Sequence, residues 1–196
     1  MEKDWRILNQ DEYLLNEKFL KIDPYEFKKQ FKDERLFHEH CDFCFDKIEK
    51  LDMFKYKYAY LTRCLNIWIC PVCFDDFKDK FNLEVITYKY FILNYQRQGT
   101  FYHEFMIGKY KEEHWNYKSM LLDDNKMQES KLYELFENCI DGYDYYGITK
   151  VDKKCWERIK EEVENYSDEI KEIIEELSYW AEYAINNHKC FSILGI

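Results

Sequence analysis

Cys41-Asp42-Phe43-Cys44 and Cys70-Pro71-Val72-Cys73 are two C-x-x-C pairs, and their reading decides how the first part of the chain folds. Together they supply four thiolates, the number that closes a tetrahedral zinc site. A short C-x-x-C loop sets two sulfurs on one side of an ion, and the longer connection returns the second pair to the other side. Between the pairs, residues 55–61 and 65–69 are rich in aromatic and β-branched side chains, which predicts two short strands. After the second pair, Phe74, Phe77 and Phe81 share one face at helical spacing, with Asp75 and Asp76 expected in the first turn, where the macrodipole favours negative charge. Knuckle, hairpin and helix in this order predict a treble-clef-like zinc finger with Cys41, Cys44, Cys70 and Cys73 as ligands to one structural ion.

Other uses of these cysteines fit less well. A pair of redox dithiols lacks the βαβ context that a thioredoxin-like C-x-x-C requires. A catalytic zinc keeps a coordination position open for water, whereas four thiolates close it. The deaminase signature H-x-E with P-C-x-x-C fails on order, because Pro71 follows Cys70 and His40 stands two residues after His38. Four thiolates accept iron as well as zinc. His38 or His40 replacing one cysteine is a further alternative, against donation to a thiolate or a plain surface position.

Outward from the finger, Trp5-Arg6-Ile7-Leu8 and Tyr13-Leu14-Leu15 read as an opening apolar segment. Glu17–Ile22 alternates with period two as a strand does, and Asp23-Pro24 ends it. A zinc-binding domain over 1–85 gathers these pieces, and a metal ion supplies folding free energy that so small a core needs. The remainder, 86–196, reads as a second domain. Val85–Leu93 is one apolar strand, turning at Gln96–Gly99 into a second at Gly99–Ile107. Leu121–Ser130 reads as a polar loop, Lys131–Cys139 as a short helix and Ile148–Val151 as a strand. Asp152 and Ser167 are N-cap candidates for two late helices, the second broken at Asn186-Asn187-His188. Cys190–Leu194 is a final strand. The order predicts an α+β fold, a mixed antiparallel sheet with helices.

The chain has 196 residues, with 29 Lys plus Arg against 39 Asp plus Glu and a formal charge of -10. So acidic a surface repels a polyanion, which disfavours nucleic acid, and speeds encounter with a cationic protein. No apolar run suggests a membrane span and the charged N-terminus lacks a signal peptide, so the protein reads as cytoplasmic. Glycine-rich phosphate loops, G-x-S-x-G and H-E-x-x-H are all missing from the sequence. His103-Glu104, Glu112-Glu113-His114 and Cys139, Cys155 and Cys190 remain as residues for chemistry. They read as structural, and no catalytic residue is assigned. The Glu-rich face of the last helix reads either as a patch for a cationic partner or as a solvated face.

Trp5-Arg6-Ile7-Leu8-Asn9-Gln10 with Tyr13-Leu14, His38-Glu39-His40-Cys41-Asp42-Phe43-Cys44 and Trp68-Ile69-Cys70-Pro71-Val72-Cys73-Phe74-Asp75-Asp76-Phe77-Lys78 resemble a family of small bacterial zinc-finger-like proteins of poorly defined role. The resemblance spans roughly the first 85 residues. It implies metal binding by Cys41, Cys44, Cys70 and Cys73 and no enzymatic activity. Gly147–Val151, Trp156, Ile173–Leu177, Trp180 and Phe191–Ile196 are similar to immunity-type proteins of bacterial polymorphic-toxin systems. That likeness implies a protein that binds a cognate toxin and blocks its active site. The expectation is therefore a non-enzymatic, zinc-stabilised immunity-like protein with a cationic toxin as partner. A zinc-finger regulatory or nucleic-acid-binding protein, with a basic patch near Lys47–Arg63, is the second reading. A hydrolase or transferase built around His103, His114 or Cys139 is the third.

Overall fold

The computed structural model describes residues 4–7, 13–31, 37–48 and 56–196. Leu8–Gln10 and Lys55, which carry part of the sequence motifs above, lie outside the described residues. The chain forms two compact units, Met1–Thr87 and Tyr88–Ile196. Both mix helices with sheet, giving the α+β class.

The first unit holds a four-stranded sheet in the order β3-β2-β1-β4. Strand β1 (Lys18–Ile22) runs antiparallel to β2 (Ala59–Thr62), with Leu20 opposite Leu61, and parallel to β4 (Glu84–Ile86). Strand β2 turns back into β3 (Trp68–Ile69) as the expected hairpin. The short helix α1 (Pro24–Lys28) starts at Asp23, whose carboxylate accepts the N–H groups of Tyr25 and Glu26. Helix α2 (Pro71–Phe81) buries Phe74, Phe77 and Phe81, the stripe seen in the sequence. Its first turn carries no acidic residue, contrary to expectation. With Pro71 as the opening residue, Asp75 and Asp76 fall one turn further on. Phe19 and Phe74 meet edge to face, and Tyr60 stacks on Phe74 at 3.8 Å, which joins sheet to helix.

The second unit is built on a five-stranded antiparallel sheet in the order β5-β7-β6-β9-β8. The expected single strand over Val85–Leu93 is two strands: β4 belongs to the first unit, and β5 (Phe91–Leu93) opens the second. Nor do β5 and β6 (Tyr102–Ile107) form a hairpin. Strand β7 (Met120–Asp123) lies between them and pairs with both. The stretch read as a polar loop is thus β7 followed by helix α3 (Asp124–Ser130), which Asp123 caps by accepting the N–H of Asn125. Helix α4 (Leu132–Cys139) follows directly, after a left-handed Lys131. Strand β8 (Ile148–Asp152) leads into α5 (Lys153–Glu162), capped by Asp152, and α6 (Asp168–His188) is capped by Ser167. Helix α6 runs through Asn186 and Asn187 and ends only at Lys189, the left-handed C-cap. Strand β9 (Cys190–Leu194), buried along its whole length, then enters between β6 and β8. Phe191 is the hub of the core, with the rings of Trp156 and Trp180 against it edge to face at 5.8 and 5.7 Å.

Among the described residues, no helix is long and apolar enough to cross a membrane.

Candidate metal centre

The sulfurs of Cys41, Cys44, Cys70 and Cys73 all lie within 4.8 Å of one another. Cys44 Sγ stands 3.9 Å from Cys70 Sγ. Tetrahedral zinc, with zinc–sulfur bonds of about 2.3 Å, sets its sulfurs about 3.8 Å apart, so the cluster fits such an ion. No disulfide competes for these thiols, since all eight cysteines are free. The fold thus brings together four sulfur donors that could hold a metal ion.

Local backbone chemistry puts each sulfur in place. Around the first pair, the Cys41 N–H reaches the Asp46 carbonyl and the Phe45 N–H returns to the Cys41 carbonyl, both at 2.8 Å. This tight turn holds Phe45 at a φ of +57° in the left-handed region, where glycine would be the easier residue. The Asp42 N–H donates to the Trp68 carbonyl at 2.8 Å, pinning the knuckle to β3. At the second pair, Cys70 is the N-cap of α2, with Pro71 first in the helix, where its missing N–H costs nothing. The Cys70 and Cys73 sulfurs therefore sit at the positive end of the helix dipole, which favours thiolates.

Arg6 completes the electrostatics. Its guanidinium donates to Cys73 Sγ at 3.7 Å and to Asp76 Oδ2 at 2.7 Å, while Asp4 grips it from the other side at 2.7 Å. It lies 4.5 Å from the centre of the Phe77 ring. Hydrogen bonds from Arg6 hold the Asp4 carboxyl below the usual range. Within the cluster, Cys70 is pulled far down by hydrogen bonds from Cys41 and then Cys73, whereas Cys41 and Cys73 are pushed up. One thiolate is thus stabilised by its neighbours' protons, and a divalent ion would take the place of those protons.

Two sequence alternatives are resolved by position. His38 and His40 pack against each other at 4.7 Å, exposed, and neither belongs to the four-sulfur cluster. Arg6 lies 67 residues from Cys73 in sequence, so no spacing rule ties it to the cluster. Its place in the Trp5-Arg6-Ile7 motif was the one available signal.

In the second unit, the polar residues set aside for chemistry are engaged in structure. His103 is fully buried, its Nε2 3.0 Å from Asp124 Oδ1. The Tyr145 hydroxyl and the Gln128 amide donate to the same carboxylate. Glu104, also buried, accepts the N–H groups of Trp115 and Asn116 and the Ser119 hydroxyl, fixing the chain before β7. His114 is exposed and meets the Tyr110 hydroxyl at 3.1 Å. Burial pushes the Cys139 thiol up, and its S–H points to the Arg158 carbonyl at 3.8 Å.

The glutamates of α6 are largely occupied. Glu169 pairs with Lys126, Glu172 with Lys89 and the Tyr90 hydroxyl, and Glu182 with Lys160. Glu176 accepts the N–H groups of Lys89, Tyr90 and Phe91 and so clamps the start of β5. This face is a set of ties within the unit. Of the basic stretch Lys47–Arg63, residues 49–55 lie outside the described residues, and Arg63 Nε stands 3.9 Å from Glu17.

A cleft of about 320 Å³ opens at the end of the sheet where β6 begins and β9 leaves, lined by Thr100, Phe101, His114, Trp115, Gly195 and Ile196. A Cβ on Gly195 would stand 2.3 Å from the Tyr145 carbonyl oxygen, so the chain passes here only as glycine. Phe101, Tyr146, Ile148 and Ile196 are exposed around this end.

His103 should make the second unit sensitive to acid. Burial lowers its pKa below the usual value, outweighing the opposing pull of Asp124. The unfolded chain then takes up the proton first, so stability is complete above about pH 6.5 and falls as pH drops below it. Urea midpoints of the wild type should decline between pH 6.5 and 5 more steeply than those of His103→Gln. Parallel curves would show that this histidine does not govern acid stability.

The comparisons with known proteins supply no relative: no protein-family model, no curated protein and no solved structure matches the chain.

Proposed function

We propose that the chain is a non-enzymatic, zinc-stabilised immunity-like protein of the bacterial cytoplasm, whose second unit binds and occludes a cationic toxin. Zinc is the favoured ion because four thiolates in a tetrahedral cluster match its preferred closed site. Such a site has no coordination position left for a substrate, so its role is to fold the first unit. The observation that carries the binding reading is the end of the second sheet. There Phe101, Tyr146, Ile148 and Ile196 present apolar area to solvent beside a cleft, on a chain of net charge -10. Apolar and aromatic anchors supply most of the energy at protein interfaces, and a negative field draws in a positive partner. The engagement of His103 and Glu104 in structural hydrogen bonds gives the hydrolase reading no support.

The test is affinity capture with the metal-loaded chain in lysate of its native host, followed by calorimetry with the recombinant captured protein. The expected result is a basic toxin domain bound one to one at submicromolar strength. Phe101→Ser together with Tyr146→Ser should weaken that binding at least about tenfold, the loss of roughly one interface anchor. Retention of nucleic acid with a steep salt dependence, or full affinity in the double variant, would contradict the proposal.

A further inference from the structure

The four sulfurs of the metal centre are not equivalent. Cys41 Sγ accepts the N–H of Cys70 at 3.3 Å, and Cys70 Sγ accepts that of Cys73 at 3.5 Å. Cys73 Sγ takes the Arg6 guanidinium at 3.7 Å. Among the described residues Cys44 Sγ receives no N–H donor, and its hydrogen-bond contact is the Cys70 sulfur at 3.9 Å. Burial divides them the same way. Cys41, Cys70 and Cys73 are no more than 1% exposed, whereas Cys44 is partly open to solvent.

Both differences bear on reactivity. A hydrogen bond donated to a thiolate draws on the lone pair that would attack an electrophile, and a buried sulfur cannot be reached by one. Thiolate character and exposure together decide which cysteine is modified. We propose that Cys44 is the modification site of the metal centre, the thiolate that soft carbon electrophiles attack first, and that its modification weakens the hold on the ion. With a haloacetamide, the Cys44 sulfur lone pair forms the new S–C bond as the carbon–iodine bond breaks and iodide leaves. The product is a neutral thioether, so the ion loses one anionic donor of its four. Arg6 acts in the opposite direction at Cys73: it positions a positive charge on that sulfur and shields it.

The proposal rests on the reading of the four cysteines as a zinc site, and the experiment separates the two. The full chain is purified and its zinc content measured before any reagent is added. It is then treated with limiting iodoacetamide, with peptide mass mapping and a colorimetric zinc indicator followed over time. Cys44 should be modified at least about tenfold faster than Cys41, Cys70 and Cys73, the spread expected between an open and a shielded thiolate. Zinc should appear in step with Cys44. Cys155, also partly exposed, lies outside the cluster, and its modification should release no zinc. Arg6→Ala should raise the rate at Cys73 and leave Cys44 unchanged. First modification at Cys41, Cys70 or Cys73, or zinc release that tracks Cys155, would overturn the assignment. A chain that neither carries nor takes up zinc would overturn the metal reading beneath it.

Discussion

Removing the ion from the zinc-loaded chain should unfold the first unit while the second stays folded. Among its described residues, the first unit relies on strands of two to five residues and on helices of five and eleven. Its core packs around the cysteines themselves, because Cys41, Cys70 and Cys73 are buried beside Trp68, Ile69 and Phe74. Structural zinc contributes about 10–16 kcal/mol of binding free energy, as large as the whole stability of an ordinary domain. Without it, the knuckle is left with its backbone hydrogen bonds and with buried thiols in mutual contact. In hydrogen exchange, chelation should abolish protection over residues 59–81 and preserve it over 102–107 and 190–194. Cys41→Ser with Cys70→Ser should reproduce that pattern. Protection over 59–81 that survives chelation would show that the unit folds without metal.

Phe191→Ala should have the largest effect of any single change in the second unit. Phe191 is fully buried on β9, with Trp156, Trp180 and Phe105 packed against its ring. It therefore joins α5 and α6 to the sheet at one point, and three large rings cannot collapse together to fill the space it leaves. A Phe→Ala change at such a site costs about 3–5 kcal/mol, a large share of a domain's stability. The urea midpoint of the second unit should fall accordingly, and Phe191→Leu should fall far less. A loss below about 1 kcal/mol for the alanine variant would mean the core is not organised around this ring.

The paired cysteines were legible because metal geometry ties chemistry to spacing. The Phe74, Phe77 and Phe81 stripe and the Asp152 and Ser167 caps were legible for a similar reason: each is a local pattern whose meaning does not depend on distant residues. Strand pairing is different. The apolar run from Val85 to Leu93 looks continuous, yet Ile86 pairs with Leu20 and Phe91 with Leu122 in separate sheets. Nothing local marks the change of partner. Met120–Asp123 was hidden as a strand because it is short and runs straight into the helix that Asp123 caps. Asn186 and Asn187 looked like a helix stop, but Ala184 and Ile185 are buried just before them, and tertiary packing carries α6 on. At the four-cysteine cluster, the sulfur donors were written in the sequence and the shielding was not. Arg6 and the Cys70 N–H reach the sulfurs of Cys73 and Cys41 only through the fold.

The four-cysteine cluster and its hydrogen bonds lie in the first unit, and the ring-packed core around Phe191 lies in the second. Both the proposed folding role of the ion and the proposed reactivity of Cys44 require the four thiolates to act as one metal site. The most direct measurement of this is the metal content of the purified chain, followed by replacement of the ion with cobalt(II) and an absorption spectrum. One zinc per chain, and a cobalt form with intense sulfur-to-metal charge-transfer and strong tetrahedral visible bands, is the predicted result. A metal-free chain that takes up no cobalt, or a pale six-coordinate spectrum without sulfur bands, would contradict it.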